Sequence, residues 1–180
     1  MKTLTSVVLI VLLGTSTKLF GQESSPKNHL EFNLIWPLVP KIYQIKYGHE
    51  VAQFQNGMKG ELIASINYRP RTHAENEGDK TMFAIAPGYR HYWWKGFNTE
   101  LSIYPEFVSI NNNVVDGQDY KDFYIVPECY TGYKGYFLKG KWFYNVQLGF
   151  GKIIFPDESY PRAEESKLFY NGNFIVGYSF

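Results

Sequence analysis

From Leu30 to the last residue, apolar side chains recur at every second position in one segment after another, and no helical spacing competes with that pattern. Alternation of this kind gives a strand two chemically different faces, so the chain is left with sheet architectures to fold into. It is clearest at the end, where Leu168, Tyr170, Gly172, Phe174, Val176, Tyr178 and Phe180 alternate with Lys167, Phe169, Asn171, Asn173, Ile175, Gly177 and Ser179. Chain ends ordinarily fray. An apolar face that runs to the final residue has to be held, and pairing of the last strand with another one is what would hold it.

Breaking the chain at its Gly, Pro, Asn and Asp clusters predicts eight strands, over about 29–36, 42–54, 61–70, 81–93, 98–110, 122–137, 142–155 and 166–180. Three connections are short and carry a Lys-Gly pair, QNGMKG, WKGF and LKGK, in which Gly60, Gly96 and Gly140 can supply the positive φ of a tight hairpin. The connections between them, 71–80, 111–121 and 156–165, are longer and polar, whereas PLVPK at 37–41 is short. Short and long connections therefore alternate, the pattern of a barrel with tight turns at one end and exposed loops at the other.

Two eight-stranded barrels fit that pattern, and the faces discriminate between them. A soluble lipocalin-like carrier encloses an apolar pocket, whereas a transmembrane barrel turns its apolar face outward. In strand seven Trp142, Tyr144, Val146, Leu148 and Phe150 oppose Phe143, Asn145, Gln147, Gly149 and Gly151. In strand one Leu30, Phe32, Leu34 and Trp36 oppose His29, Glu31, Asn33 and Ile35, and in strand three Leu62, Ala64, Ile66 and Tyr68 oppose Ile63, Ser65, Asn67 and Arg69. Sets rich in Gly, Asn, Gln and charge are a poor lining for a greasy pocket. Aromatic residues make up 18% of the chain while no later segment is apolar enough for a membrane helix, which is how a transmembrane barrel spreads its apolar residues. The expectation is an all-β, eight-stranded, antiparallel up-and-down transmembrane barrel, monomeric, with the last strand closing on the first.

The N-terminal MKTLTSVVLIVLLGTS joins an early lysine to an apolar run over 7–13 that is short of the ~20 residues of a membrane helix, and it reads as a signal peptide. We expect a signal over 1–21 and a barrel domain over 22–180. Two of the 18 Lys and Arg precede residue 22, which leaves a net charge near −1 against 17 Asp and Glu, so nothing favours nucleic acid as a partner. The single Cys129 excludes an internal disulfide framework, and no Cys/His cluster has zinc spacing. No cofactor is expected.

The signal peptide, the amphipathic strands, the alternating turns and loops, and the terminal FIVGYSF resemble the small outer-membrane β-barrels, such as the transmembrane domain of outer membrane protein A and outer membrane protein X. The Phe-Gly-Gln junction at 20–22 and the aromatic density are similar to barrels of unassigned function from Bacteroidota. That resemblance implies outer-membrane lipid and lipopolysaccharide as surroundings and the barrel assembly machinery as a partner during biogenesis. It implies that Phe180, Tyr178, Val176 and Phe174 form the lipid-facing assembly signal, in which Gly177 departs from the family's glycine spacing.

Inward parity selects Glu31, Lys46, Glu50, Arg69, Arg90, Glu100, Glu106, Glu128, Lys134 and Lys167. Glu106 and Glu128 share a repeated context, IYPEF and IVPEC, and folding strands five and six about Asp116 and Gly117 sets Pro105 beside Pro127 and the two carboxylates at one height. Arg90 and Arg69 are the cations expected between them, forming a network that plugs the lumen, since buried charges are ordinarily ion-paired. The alternatives are a small pore or a catalytic carboxylate pair. Trp93, Trp94 and Trp142 are expected as interfacial aromatics, with the opposite parities of Trp93 and Trp94 allowing only one to face lipid. Pro87, Pro105 and Pro127, on three successive strands, each remove a ladder donor and predict a local weakness in the wall. Such weak points admit lipid chains in lipid A-modifying barrels, which makes an outer-leaflet lipid-modifying enzyme the second reading. No histidine lies beside a serine in a recognisable pattern, so a structural or surface-binding role through the loops is preferred.

Overall fold

A computed structural model describes residues 27–39, 41–75, 78–137, 141–154 and 168–180. The expected signal segment, Lys167, the 156–165 loop and most of the LKGK turn lie outside the described residues. The strands are β1 (Asn28–Asn33), β2 (Tyr43–Gln53), β3 (Lys59–Ala74), β4 (Gly78–Trp94), β5 (Phe97–Asn111), β6 (Tyr120–Phe137), β7 (Trp142–Lys152) and β8 (Leu168–Ser179). They form one closed antiparallel barrel in chain order.

Closure answers the question posed by the C-terminus. β8 pairs with β1 from His29↔Ser179 to Asn33↔Ile175, and the last residue is held by a reciprocal pair of bonds, Phe180 N–H donating to Asn28 O and Asn28 N–H to Phe180 O. Every strand edge is thereby satisfied over this stretch, which only a barrel achieves. The alternation sorts as expected. Phe32, Ile45, Leu62, Ile66, Ile85, Leu101, Ile103, Phe107, Leu148, Phe174 and Phe180 are exposed on the outer face, while Glu31, Lys46, Arg90, Glu100, Asn145 and Gln147 are buried inside.

At one end lie the start of β1, the end of β8 and the tight turns. The first of these is built on a 3-10 turn over Gln55–Gly57, with positive φ at Asn56 and Gly57, so Lys59 and Gly60 already belong to β3 rather than to the turn. The second is the pair Lys95 (φ 40) and Gly96 (φ 93); a Cβ on Gly96 would stand 2.2 Å from Lys134 O.

The other end departs from expectation in three places. The 71–80 connection is mostly strand, since Thr72↔Lys80, His73↔Asp79 and Ala74↔Gly78 pair beyond a bulge between Arg69 and Thr72, and Arg71 and His73 both reach the Asp79 carboxylate. The β5–β6 hairpin is offset by two residues from the expected register: Pro127 faces Ile103 and Pro105 faces Ile125. Its loop closes on Asn113, whose N–H donates to Gln118 O while its carbonyl accepts from Gly117 N–H. Finally, β1 stops at Asn33, because the Asn33 Oδ1 accepts the N–H groups of Ile35 and Trp36 and turns the chain. Trp36 therefore points inward, 7% exposed, rather than outward with Leu34.

The prolines leave their mark on one seam only. β4–β5 pairing skips from Ala84↔Glu106 to Gly88↔Ser102 without a change of register, across the stretch that holds Pro87 and Pro105, while β5–β6 pairing runs unbroken past Pro127.

Candidate functional site

The interior is layered, and the layers follow from which strand positions turn inward. Nearest the loops, Met82, Ala84, Ala86, Tyr104, Val108, Ile110, Tyr124 and Val126 make an apolar cluster. In the middle are amides, Asn33 Nδ2 donating to Asn173 Oδ1 (2.9 Å) and Asn173 Nδ2 to Gln147 Oε1 (3.0 Å), while nearer the turns Asn98 Nδ2 donates to Asn145 Oδ1 (3.1 Å) and Gly96 O. Toward the turns is a charged cluster centred on Arg90.

Arg90 has no exposed surface, nor have Glu31 and Glu100. Its guanidinium grips Glu31 in two parallel bonds, Nη1 to Oε1 at 2.6 Å and Nη2 to Oε2 at 2.8 Å, and grips Glu100 Oε2 through Nε (2.9 Å) and Nη2 (2.6 Å). The remaining Nη1 donor lies 3.3 Å from Tyr92 Oη and 3.5 Å from Glu61 Oε2, so all five N–H groups have acceptors. Lys46 Nζ completes Glu100 at 2.7 Å, and Lys134 Nζ stands 3.6 Å from Glu61 Oε1 and 4.0 Å from the centre of the Phe143 ring. Three cations thus meet three carboxylates. His29 Nε2 sits 3.1 Å from Glu31 Oε1, within ion-pairing distance but outside hydrogen-bond geometry. A buried charge set of this kind persists only when matched in number and fully hydrogen-bonded, because each unpaired member costs several kcal/mol.

The expected quartet is therefore divided. Arg90 is at the centre of a network, but its partners are Glu31, Glu100 and Glu61; Arg69 lies beside the β3 bulge, where its Nε donates to Thr72 Oγ1 at 2.7 Å. Glu106 and Glu128 share a different place, a cavity of about 370 Å³ at the loop end, also lined by Trp36, Ile42, Tyr104, Phe169 and Asn171. The register explains the division, since Glu128 faces Ser102 rather than a residue next to Glu106. Glu61, outside the expected inward set, shares the parity of Ile63 and Ser65 and turns inward because β3 begins two residues before it, at Lys59. A second cavity, about 590 Å³, opens at the turn end among His29, Glu50, Lys59, Tyr92, Lys134 and Tyr136.

On the outer face, Tyr178 meets Trp142 with ring centres 5.2 Å apart, and Val176, Phe174 and Phe180 continue the row. Trp93 and Trp94 are both exposed, contrary to the expectation of one, because the β4–β5 register slips between Tyr92 and Trp94 and frees the second indole, over which Lys95 Nζ lies at 5.0 Å. His91 packs against Trp93 with ring centres 4.3 Å apart, and His49 Nδ1 meets Asn28 Oδ1 at 2.7 Å. Among the described residues no three His, Cys, Asp or Glu donors converge to hold a metal ion. No known protein family matches the chain, and neither a curated protein nor a solved structure is significantly similar to it.

Proposed function

We propose that the chain is an integral outer-membrane β-barrel with a structural or surface-binding role, its lumen sealed by the Arg90 cluster and its loop end available to partners outside the cell. The observation that carries this reading is the inverted distribution of side chains. Leu62, Ile66, Ile85, Leu101, Ile103 and Phe107, on the neighbouring strands β3 to β5, and Leu148 on β7 are each more than half exposed, while the ion pairs are inside. A continuous apolar surface of that extent is unfavourable in water and is what a bilayer asks of a barrel. Aromatic residues at the turn end, Trp93, Trp94, Trp142 and Tyr178, support an interfacial girdle there.

A lipid-handling role is the second reading, favoured by the break in β4–β5 pairing at Pro87 and Pro105. Planar-bilayer recording tests the sealed lumen. Wild-type protein is expected to give no steady open level, because Arg90, Glu31 and Glu100 leave no accessible surface between them. A stable conductance of the size of a water-filled pore would remove the sealed-lumen reading in favour of a channel.

A further inference from the structure

The turn-end mouth of the barrel holds polar groups that the fold leaves half-satisfied. Its cavity, about 590 Å³, counts His29, Glu61, Tyr92 and Lys134 of the Arg90 cluster in its lining. Lys134 is 3% exposed, yet its ammonium makes no hydrogen bond among the described residues. Its nearest carboxylate oxygen, Glu61 Oε1, stands 3.6 Å away, and the centres of the Phe143, Tyr92 and Tyr136 rings lie at 4.0, 5.3 and 5.6 Å. A separation of 3.6 Å makes an ion pair but is too long for a hydrogen bond. Glu61 Oε1 has no closer partner, since the Tyr92 hydroxyl and Arg90 both donate to Oε2. His29, equally buried, has its Nε2 within ion-pairing distance of Glu31 and Glu61 but without a hydrogen bond. Two nitrogens and a carboxylate oxygen thus share one cavity with hydrogen-bonding capacity unused.

Charge decides what can use it. Arg90, Lys46 and Lys134 match Glu31, Glu100 and Glu61, and Lys59 on the cavity wall matches Glu50 at 2.9 Å. Lys95 remains, exposed at the rim against the Trp94 ring. A charged group brought among matched ions has no counter-charge of its own, which is costly in a buried setting. A hydroxyl avoids that cost. It donates to a carboxylate oxygen and accepts from an ammonium at once, the two functions that Glu61 Oε1 and Lys134 Nζ leave open. Trp94, Tyr133 and Tyr136 join Tyr92 in the lining, so aromatic faces stand beside the buried polar groups. Such faces suit the C–H face of a ring, and a barrel mouth of this volume, aromatic with a few placed polar groups, is an ordinary form of small-molecule site.

We infer that the turn-end mouth binds a neutral saccharide, one hydroxyl bridging Glu61 and Lys134 and the apolar face of the sugar lying on the aromatic rings. That the mouth opens to the periplasm rests on the membrane reading above; the site itself does not.

The test uses the full barrel in lauryldimethylamine oxide micelles, which carry no sugar. It follows the Trp94 indole N–H by NMR, assigned with Trp94→Phe, and takes the Trp36 indole at the other end as control. Cellobiose and diacetylchitobiose are expected to shift the Trp94 signal saturably and to leave Trp36 in place. Sorbitol, which has hydroxyls but no ring, and the ions hexanoate and hexylamine are expected to move neither. Lys134→Met is expected to weaken binding by at least about tenfold, the worth of one charge-assisted hydrogen bond. Tyr133→Leu, at a half-exposed position that leaves every ion pair intact, is expected to weaken it about threefold to tenfold. No saturable shift with either disaccharide, an equal shift from sorbitol, or wild-type affinity in both variants would overturn the inference and leave the cavity to water. Tighter binding of diacetylchitobiose assigns the source to an amino-sugar glycan, tighter binding of cellobiose to a free neutral sugar. Saturable binding by a protein that shows no heat-dependent gel shift keeps the site and removes the membrane reading.

Discussion

Without its guanidinium, Arg90 would leave Glu31 and Glu100 buried and facing one another, since both are held by the same group. Arg90→Met is expected to destabilise the barrel by about 3–5 kcal/mol, read as a fall in the urea midpoint of vesicle-refolded protein. Adding Glu31→Gln and Glu100→Gln to it is expected to recover most of that loss, because the stranded charges go with their partner. A loss below about 1 kcal/mol for the single variant would mean that water reaches the cluster. That Arg90 lies inside was legible from parity. Its partners were not, for parity names a face and says nothing of height, and the grip on Glu31 joins β4 to β1 across the lumen. A second residue-scale prediction concerns the β5–β6 loop. The Tyr120 hydroxyl and the Gln118 N–H donate to Asp116 and hold its carboxyl below the usual aspartate range. Asp116 therefore contributes to loop order fully above the ordinary value of about 3.9, and loses that contribution as pH falls through its lower folded value. An NMR titration should place the Asp116 midpoint below the ordinary one and move it up in Tyr120→Phe; an unchanged midpoint in that variant would sink the assignment.

Among the elements, the turn of Lys95 and Gly96 is the tightest described, and Gly96 at φ 93 cannot take a side chain without meeting Lys134 O. Gly96→Val is expected to cost on the order of 1–3 kcal/mol, with slower refolding, while Lys95→Asn is expected to be tolerated, since Asn accepts positive φ. Refolding kinetics followed by tryptophan fluorescence checks both. The eight strands were legible because each carries its own alternation between turn residues. Register was not: the β5–β6 loop closes through Asn113, and the pairing is offset by two residues from the expected one, so that Glu128 faces Ser102. Trp36 shows the same limit at the end of β1, where the Asn33 side chain ends the strand and breaks the alternation. Gly177, odd as part of an assembly signal, has a packing reason: it faces inward, where a Cβ would stand 2.2 Å from the Phe143 ring.

For the whole molecule, the outer face could be read from sequence because apolar alternation recurs on every strand. The interior could not, since inward positions on β4 to β6 mix apolar residues with Glu106 and Glu128 near the loops and carry Arg90 and Glu100 near the turns, and only the folded barrel brings Met82 to Tyr124 or Arg90 to Glu31. A barrel sewn shut from β1 to β8 with its ion pairs inside should resist detergent as a unit. The most direct measurement is an SDS gel of the purified membrane fraction with and without boiling. A compact, fast-running band that shifts to its full apparent mass on heating is the expected result. A single unshifted band, with the protein recovered in the soluble fraction, would contradict a lipid-facing barrel.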